Sequence, residues 1–121
     1  MRHDMSLSAK QQRFTECVGL LIAQAYRLGY GFTFGDAYRD SRVHGAHGIK
    51  GSYSAAKSVH KQRLAVDLNL FVEGEYIHSG DHIAYQRLGE FWEGLDPDAR
   101  WGGNFQSNDA NHFSFEHEGY K

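Results

Sequence analysis

Residues 58–70 read Ser58-Val59-His60-Lys61-Gln62-Arg63-Leu64-Ala65-Val66-Asp67-Leu68-Asn69-Leu70. From Val66 onward apolar residues occupy even positions and polar ones odd positions, the period-2 signature of a strand with one buried face. Asp67, between Val66 and Leu68, has to reach solvent or a strong partner, because burying an unpaired charge is very costly. His60 comes seven residues earlier, before the strand proper, where the chain is still able to curl back. An imidazole from a loop and a carboxylate from the next strand are able to converge on one cation, and both are first-choice zinc ligands. Two ligands do not make a site. The third has to come from elsewhere, and His112 is the best candidate.

The composition suits that chemistry. The chain has 121 residues, 40% of them apolar and 23% charged, which fits one soluble globular domain over residues 1–121. The net charge of −2, with basic residues scattered, gives no bulk attraction to nucleic acid or an anionic membrane. A single cysteine, Cys17, excludes an internal disulfide and any multi-cysteine zinc site, so a metal would be held by histidine and carboxylate. Eight histidines raise the expectation of metal or acid–base chemistry. No apolar stretch is long enough to insert in a bilayer, and polar residues follow Met1-Arg2-His3-Asp4 where a secretory signal would be apolar. The expectation is a monomer made in a cytoplasm, with a separate factor letting it out if it acts outside.

Outward from the central strand, the other elements follow from periodicity. Ser8-Ala9-Lys10-Gln11 has the form of a capping box. Beyond it Phe14, Val18, Leu21, Ile22, Ala25 and Leu28 recur at helical spacing, with Gly29 as the residue that ends the helix. Tyr30 to Arg39 is aromatic-rich and alternating, so it reads as a strand. Residues 40–57 lose all period and read as a long loop, where His44 and His47 are a possible metal pair. Glu73-Gly74 reads as a hairpin turn before a return strand from Glu75. Residues 79–81 suit the cap of a second helix with Ile83, Leu88, Phe91, Trp92 and Leu95 buried, stopped at Asp96-Pro97-Asp98. Trp101 to Phe105 reads as a short strand or bend, and His112 to His117 alternates as a last strand. Segregated helices with a small antiparallel sheet make an α+β fold.

A catalytic zinc site needs three protein ligands, an open position and a nearby carboxylate to take a proton from water. His60, Asp67 and His112 are able to supply the first. Asp109, three residues before His112, is close enough to reach a water without ligating, and Arg39 suits the oxyanion of a tetrahedral intermediate. Each residue alone has a plainer reading. A single histidine is more often a hydrogen-bonded structural residue, Asp109 a turn former, and Arg39 a surface partner of Asp36 or Asp40.

The combination narrows the choice. Ser58-x-His60-x-x-x-x-Ala65-x-Asp67, then Trp101-Gly102-Gly103 and Asp109-x-x-His112-Phe113, resembles the M15 zinc peptidases. The resemblance is greatest to the phage endolysins of that family that act as L-alanyl-D-glutamate peptidases. It implies zinc held by His60, Asp67 and His112, Asp109 as general base, Arg39 stabilising the oxyanion and Ser58 orienting substrate or the metal ligands. It also implies bacterial peptidoglycan as the partner and cleavage of its stem peptide during phage lysis. Arg63 stands where the family pattern has glycine, and Asp109 where many relatives have glutamate. Glu116 and His117 are rivals for base and ligand. A D-alanyl-D-alanine carboxypeptidase or dipeptidase is the alternative within this chemistry. A non-catalytic, zinc-stabilised cell-wall-binding domain is the alternative outside it, and a fourth ligand such as His117 would mark it.

Overall fold

The computed structural model describes residues 6–35 and 62–121; the expectations for Arg39, Ser58, His60 and the loop carrying His44 and His47 lie outside the described residues. The first helix, α1, runs Leu7–Arg27. Its N-cap is Ser6, whose hydroxyl accepts from the Ala9 N–H at 3.1 Å, two residues before the expected Ser8. Gln11 does not reach back either: its amide donates to the Gln62 carbonyl at 2.8 Å, tying the helix to the approach of the central strand. Phe14, Cys17, Leu21 and Ala25 form the buried stripe, so the lone thiol is a small core hydrophobe. Leu28, expected in that stripe, is exposed at the C-cap, and Gly29 follows with φ +88°, which relieves the left-handed turn ending the helix.

Five strands follow: β1 (Tyr30–Phe34), β2 (Ala65–Val72), β3 (Glu75–Tyr76), β4 (Ala99–Trp101) and β5 (His112–Phe115). All pairings are antiparallel, in the order β1-β2-β5-β4, with β3 also on β2. β1 stops at Phe34, short of the expected Arg39, where a bend at Gly35 brings its N–H to the Asp67 carbonyl at 2.8 Å. Glu73 and Gly74 both have positive φ, 53° and 81°, so the hairpin turn has the left-handed form that matches strand twist. The second helix, α2, spans Ile83–Glu93 and is capped by the His82 imidazole, which accepts from the Ala84 N–H at 3.0 Å. Residues 79–81, expected to supply the cap, stand just before it, where the Ser79 hydroxyl accepts from the Asp81 N–H. Ala84, Tyr85, Leu88, Gly89 and Trp92 set the buried stripe, and Ile83, one position to its flank, is 54% exposed. Among the described residues no helix is long and apolar enough to cross a membrane.

Both helices cover one face of the sheet. Leu64, Leu68 and Leu70 from the central segment and Phe113 and Phe115 from β5 meet them there, all fully or almost fully buried. Trp92 sits at the centre, edge-on to Phe14 and Phe113 at 5.7 and 5.9 Å. Its indole N–H donates to the carbonyls of Arg100 and Ser114 at 3.0 and 3.2 Å, so a polar group is buried without penalty while linking α2 to β4 and β5.

One edge of β2 changes neighbour partway along. The Leu68 N–H donates to Asn111 at 2.8 Å beside β5, whereas the Leu70 carbonyl accepts from Ile77 at 2.9 Å beyond β3. At this division the Leu70 N–H lacks a ladder partner, and the Tyr85 hydroxyl accepts from it at 3.1 Å. Tyr85→Phe is therefore expected to cost about 1–3 kcal/mol, the usual penalty for one stranded buried donor. Burial pushes the Tyr85 phenol above its ordinary value of 10.0, the Leu70 hydrogen bond pulls it back, and nearby Tyr76 adds to the rise. The corresponding stability is fully present below that ordinary value and is lost as pH rises through the folded one. Urea unfolding at neutral and alkaline pH checks both parts: the variant should be weaker at pH 7 and should lack this alkaline component. Equal stability of the two proteins at pH 7 would remove Tyr85 from the role.

Candidate active site

The alternation that buries Leu68 and Leu70 turns Asp67 and Asn69 to the other face of β2. In β5, Phe113 and Phe115 enter the core, so His112 shares that second face. Register then decides what meets: Asp67 lies directly opposite His112. The bonds Leu68 N–H to Asn111 and Phe115 N–H to Leu64 mark the flanking hydrogen-bonded pairs. Alternation leaves Asp67 and His112 as a non-hydrogen-bonded pair, the kind whose side chains approach most closely. Nδ1 of His112 is 3.3 Å from Oδ1 of Asp67, and the side chains are 13% and 14% exposed.

Trp101, Gly102 and residues 109–112 behave as one mechanical unit. The Trp101 indole donates to the Ala110 carbonyl at 2.7 Å, and the Gly102 carbonyl accepts from the Asp109 N–H at 2.8 Å. The Asp109 carbonyl in turn accepts from the His112 N–H at 3.0 Å, closing the turn that delivers His112 to its strand. A Cβ on Gly102 would lie 2.1 Å from the Asp109 carbonyl oxygen and 2.8 Å from the His112 Cβ, so only glycine admits this approach. The Asp109 carboxylate is at the surface, oriented by the Ser107 hydroxyl, which donates to it at 2.8 Å. Phe105 packs against the His112 ring, centroids 5.5 Å apart.

The rivals for these roles are engaged elsewhere. Past the end of β5, Glu116 accepts from the Arg100 guanidinium at 2.9 Å. His117 lies 3.3 Å from the Lys10 ammonium of α1. Strand rise alone puts Phe115 about 10 Å beyond His112. Asn69 and Asn111, which the sequence did not single out, join through a 3.1 Å hydrogen bond next to Asp67 and His112 in the chain. The odd position of Asn69 on β2, two residues after Asp67, was the available signal.

Asp67 and His112 offer one carboxylate and one imidazole side by side, a donor set that fits zinc, and the only thiol is sealed in the core beneath α1. Among the described residues no three histidine, cysteine or acidic side chains cluster to complete a site; His60, the expected third ligand, is outside them.

Known proteins give the arrangement its context. The fold is that of an L-Ala D-Glu endopeptidase from Serratia marcescens, ChiX: the match has TM-score 0.58 and 20% identity and covers 79% of this chain and 75% of that one. The family described as D-alanyl-D-alanine carboxypeptidase, of the M15 peptidases, matches residues 52–115. The chain belongs to that M15 peptidase family. The matched stretch contains Ser58, His60, Asp67, Asp109 and His112 and stops short of Arg39. No curated protein matches the chain.

Proposed function

We propose that the protein is a zinc-dependent endopeptidase that cleaves the stem peptide of bacterial peptidoglycan, at the L-alanyl-D-glutamate bond, in phage-mediated lysis. The observation that carries the reading is the Asp67–His112 pair, a carboxylate and an imidazole fixed 3.3 Å apart by strand register beside the turn that holds Asp109. The resemblance to L-alanyl-D-glutamate peptidases and the fold shared with an L-Ala D-Glu endopeptidase favour that bond. On this reading the protein acts as a monomer, is made in the host cytoplasm, and reaches the wall through a separate factor.

Asp67 and His112, with His60, would hold the zinc. When bound, zinc acts as a Lewis acid that polarises the scissile carbonyl and acidifies water. Asp109 takes the proton from the attacking water and delivers it to the leaving amine. Arg39 donates to the oxyanion of the tetrahedral intermediate, and Ser58 orients the peptide. His117 is the residue that would close the coordination sphere of a structural site, and its contact with Lys10 favours the catalytic reading over a zinc-stabilised binding domain.

The description of the matched family keeps a D-alanyl-D-alanine carboxypeptidase or dipeptidase as the second reading. Digestion of purified peptidoglycan, with mass spectrometry of the new termini, separates the two. New carboxyl-terminal L-alanine and amino-terminal D-glutamate are expected; release of D-alanine would transfer the assignment to the second reading. In the same assay Arg39→Ala should slow turnover by roughly 100-fold, the scale of one lost oxyanion donor. Near-normal turnover would return Arg39 to a surface ion pair.

A further inference from the structure

The division of the sheet opens a cleft of about 200 Å³. Tyr76, His78, Tyr85, Asn108, Asp109 and Asn111 line it. The proposed general base therefore belongs to both the active site and this cleft, and Asn111 links it to Asn69, two residues from Asp67. A substrate held at Asp109 has to extend into the cleft or away from it.

Charge selects which half extends inward. Among the described residues no lysine or arginine lines the cleft, and the one carboxylate that does is Asp109. A group bearing its own carboxylate finds no cation among those lining residues and is repelled by Asp109. In an L-alanyl-D-glutamate segment the glutamate side is anionic, whereas the alanine side is neutral, its nitrogen acylated by the lactyl arm of an N-acetylated amino sugar. The cleft offers what a neutral sugar needs. Tyr76 and His78 are exposed aromatic rings, edge to face at 4.5 Å, giving a surface for the C–H face of a pyranose. The Asn108 amide offers a donor and an acceptor for hydroxyl or acetamido groups.

We propose that this cleft is a saccharide subsite, which receives the N-acetylated amino sugar on the amino-terminal side of the scissile bond, with Tyr76 and His78 as its stacking wall. The proposal rests on the peptidoglycan reading above and adds a substrate determinant to it: the enzyme recognises stem peptide still attached to glycan.

The test compares kcat/KM on two substrates with the same stem peptide, one carrying the N-acetylglucosaminyl–N-acetylmuramyl disaccharide and the other only an N-acetyl group. The sugar should raise kcat/KM by about tenfold, because remote binding contributes to transition-state stabilisation. Tyr76→Ala and His78→Ala should each draw the ratio toward one. A wild-type ratio near one, or a ratio that both variants preserve, overturns the subsite. Titration of N-acetylmuramyl-L-alanine amide, which brings no carboxylate to Asp109, into the same proteins, followed by calorimetry, decides independently of cleavage. Binding to wild type that weakens several-fold in Tyr76→Ala supports the subsite even if neither substrate is cut, a result that would overturn the peptidase reading alone. No binding, or equal binding, counts against the subsite even if both are cut.

Discussion

His112→Ala should lose zinc and peptidase activity together. Its imidazole sits opposite Asp67 in the sheet, and no other described histidine shares that place: His117 is held at Lys10, His82 caps α2 and His78 packs against Tyr76. On the proposed ligand set, removing one of three would leave a site too poor to retain the metal, so turnover on peptidoglycan should fall by well over 100-fold, beyond the usual loss for removing a ligand's supporting partner. Metal analysis should give close to one zinc per chain in the wild type and almost none in the variant. The wild type should also melt at a lower temperature after chelation, because the proposed ligands come from separate segments and binding would favour the folded state. His112→Ala protein that keeps its zinc would remove His112 from the site.

Asp109→Asn should keep zinc and lose activity. The amide preserves the shape and is still able to accept from Ser107, but it does not take a proton from water, so turnover should drop by roughly 10²–10⁴-fold. Glu116→Gln is the comparison, since it loses an ion pair with Arg100 at the far end of β5 and should cut peptidoglycan at close to the normal rate. Both variants are to be assayed with zinc measured alongside. Loss of activity in Glu116→Gln with activity retained in Asp109→Asn would exchange the roles. Loss of zinc from Asp109→Asn would make Asp109 a ligand and favour a closed, structural metal site.

The parts of the fold that were legible are those written in neighbouring residues. Period 2 from Val66 to Leu70, helical spacing from Phe14 to Ala25, and Glu73-Gly74 at a tight turn each state their structure within a few positions. Helix starts were misread because Ser6 and Ser8 fit a cap equally well by local chemistry, and a contact 51 residues away, Gln11 with Gln62, took the side chain that would have favoured Ser8. Beyond the β2–β3 hairpin, strand order was not legible: β2 lies between β1 and β5, and nothing local reports such long-range pairing. The candidate site divides the same way. Asp67, Asp109 and His112 were readable through a motif, whereas the Asn69–Asn111 bond and the cleft lined by Tyr76, His78 and Tyr85 exist only because the sheet closes and then divides.

Pairing of Asp67 with His112 has a consequence for inheritance of precision. Successive side chains in a strand point to opposite faces, so a slip of β5 by one residue would set Phe113 beside Asp67 and drive His112 into the core. Phe113 and Phe115, packed around Trp92, forbid that slip, which means two apolar rings on the hidden face proofread the chemistry on the other. Damage to this packing that leaves the register intact should thin the population of working molecules without degrading any one of them.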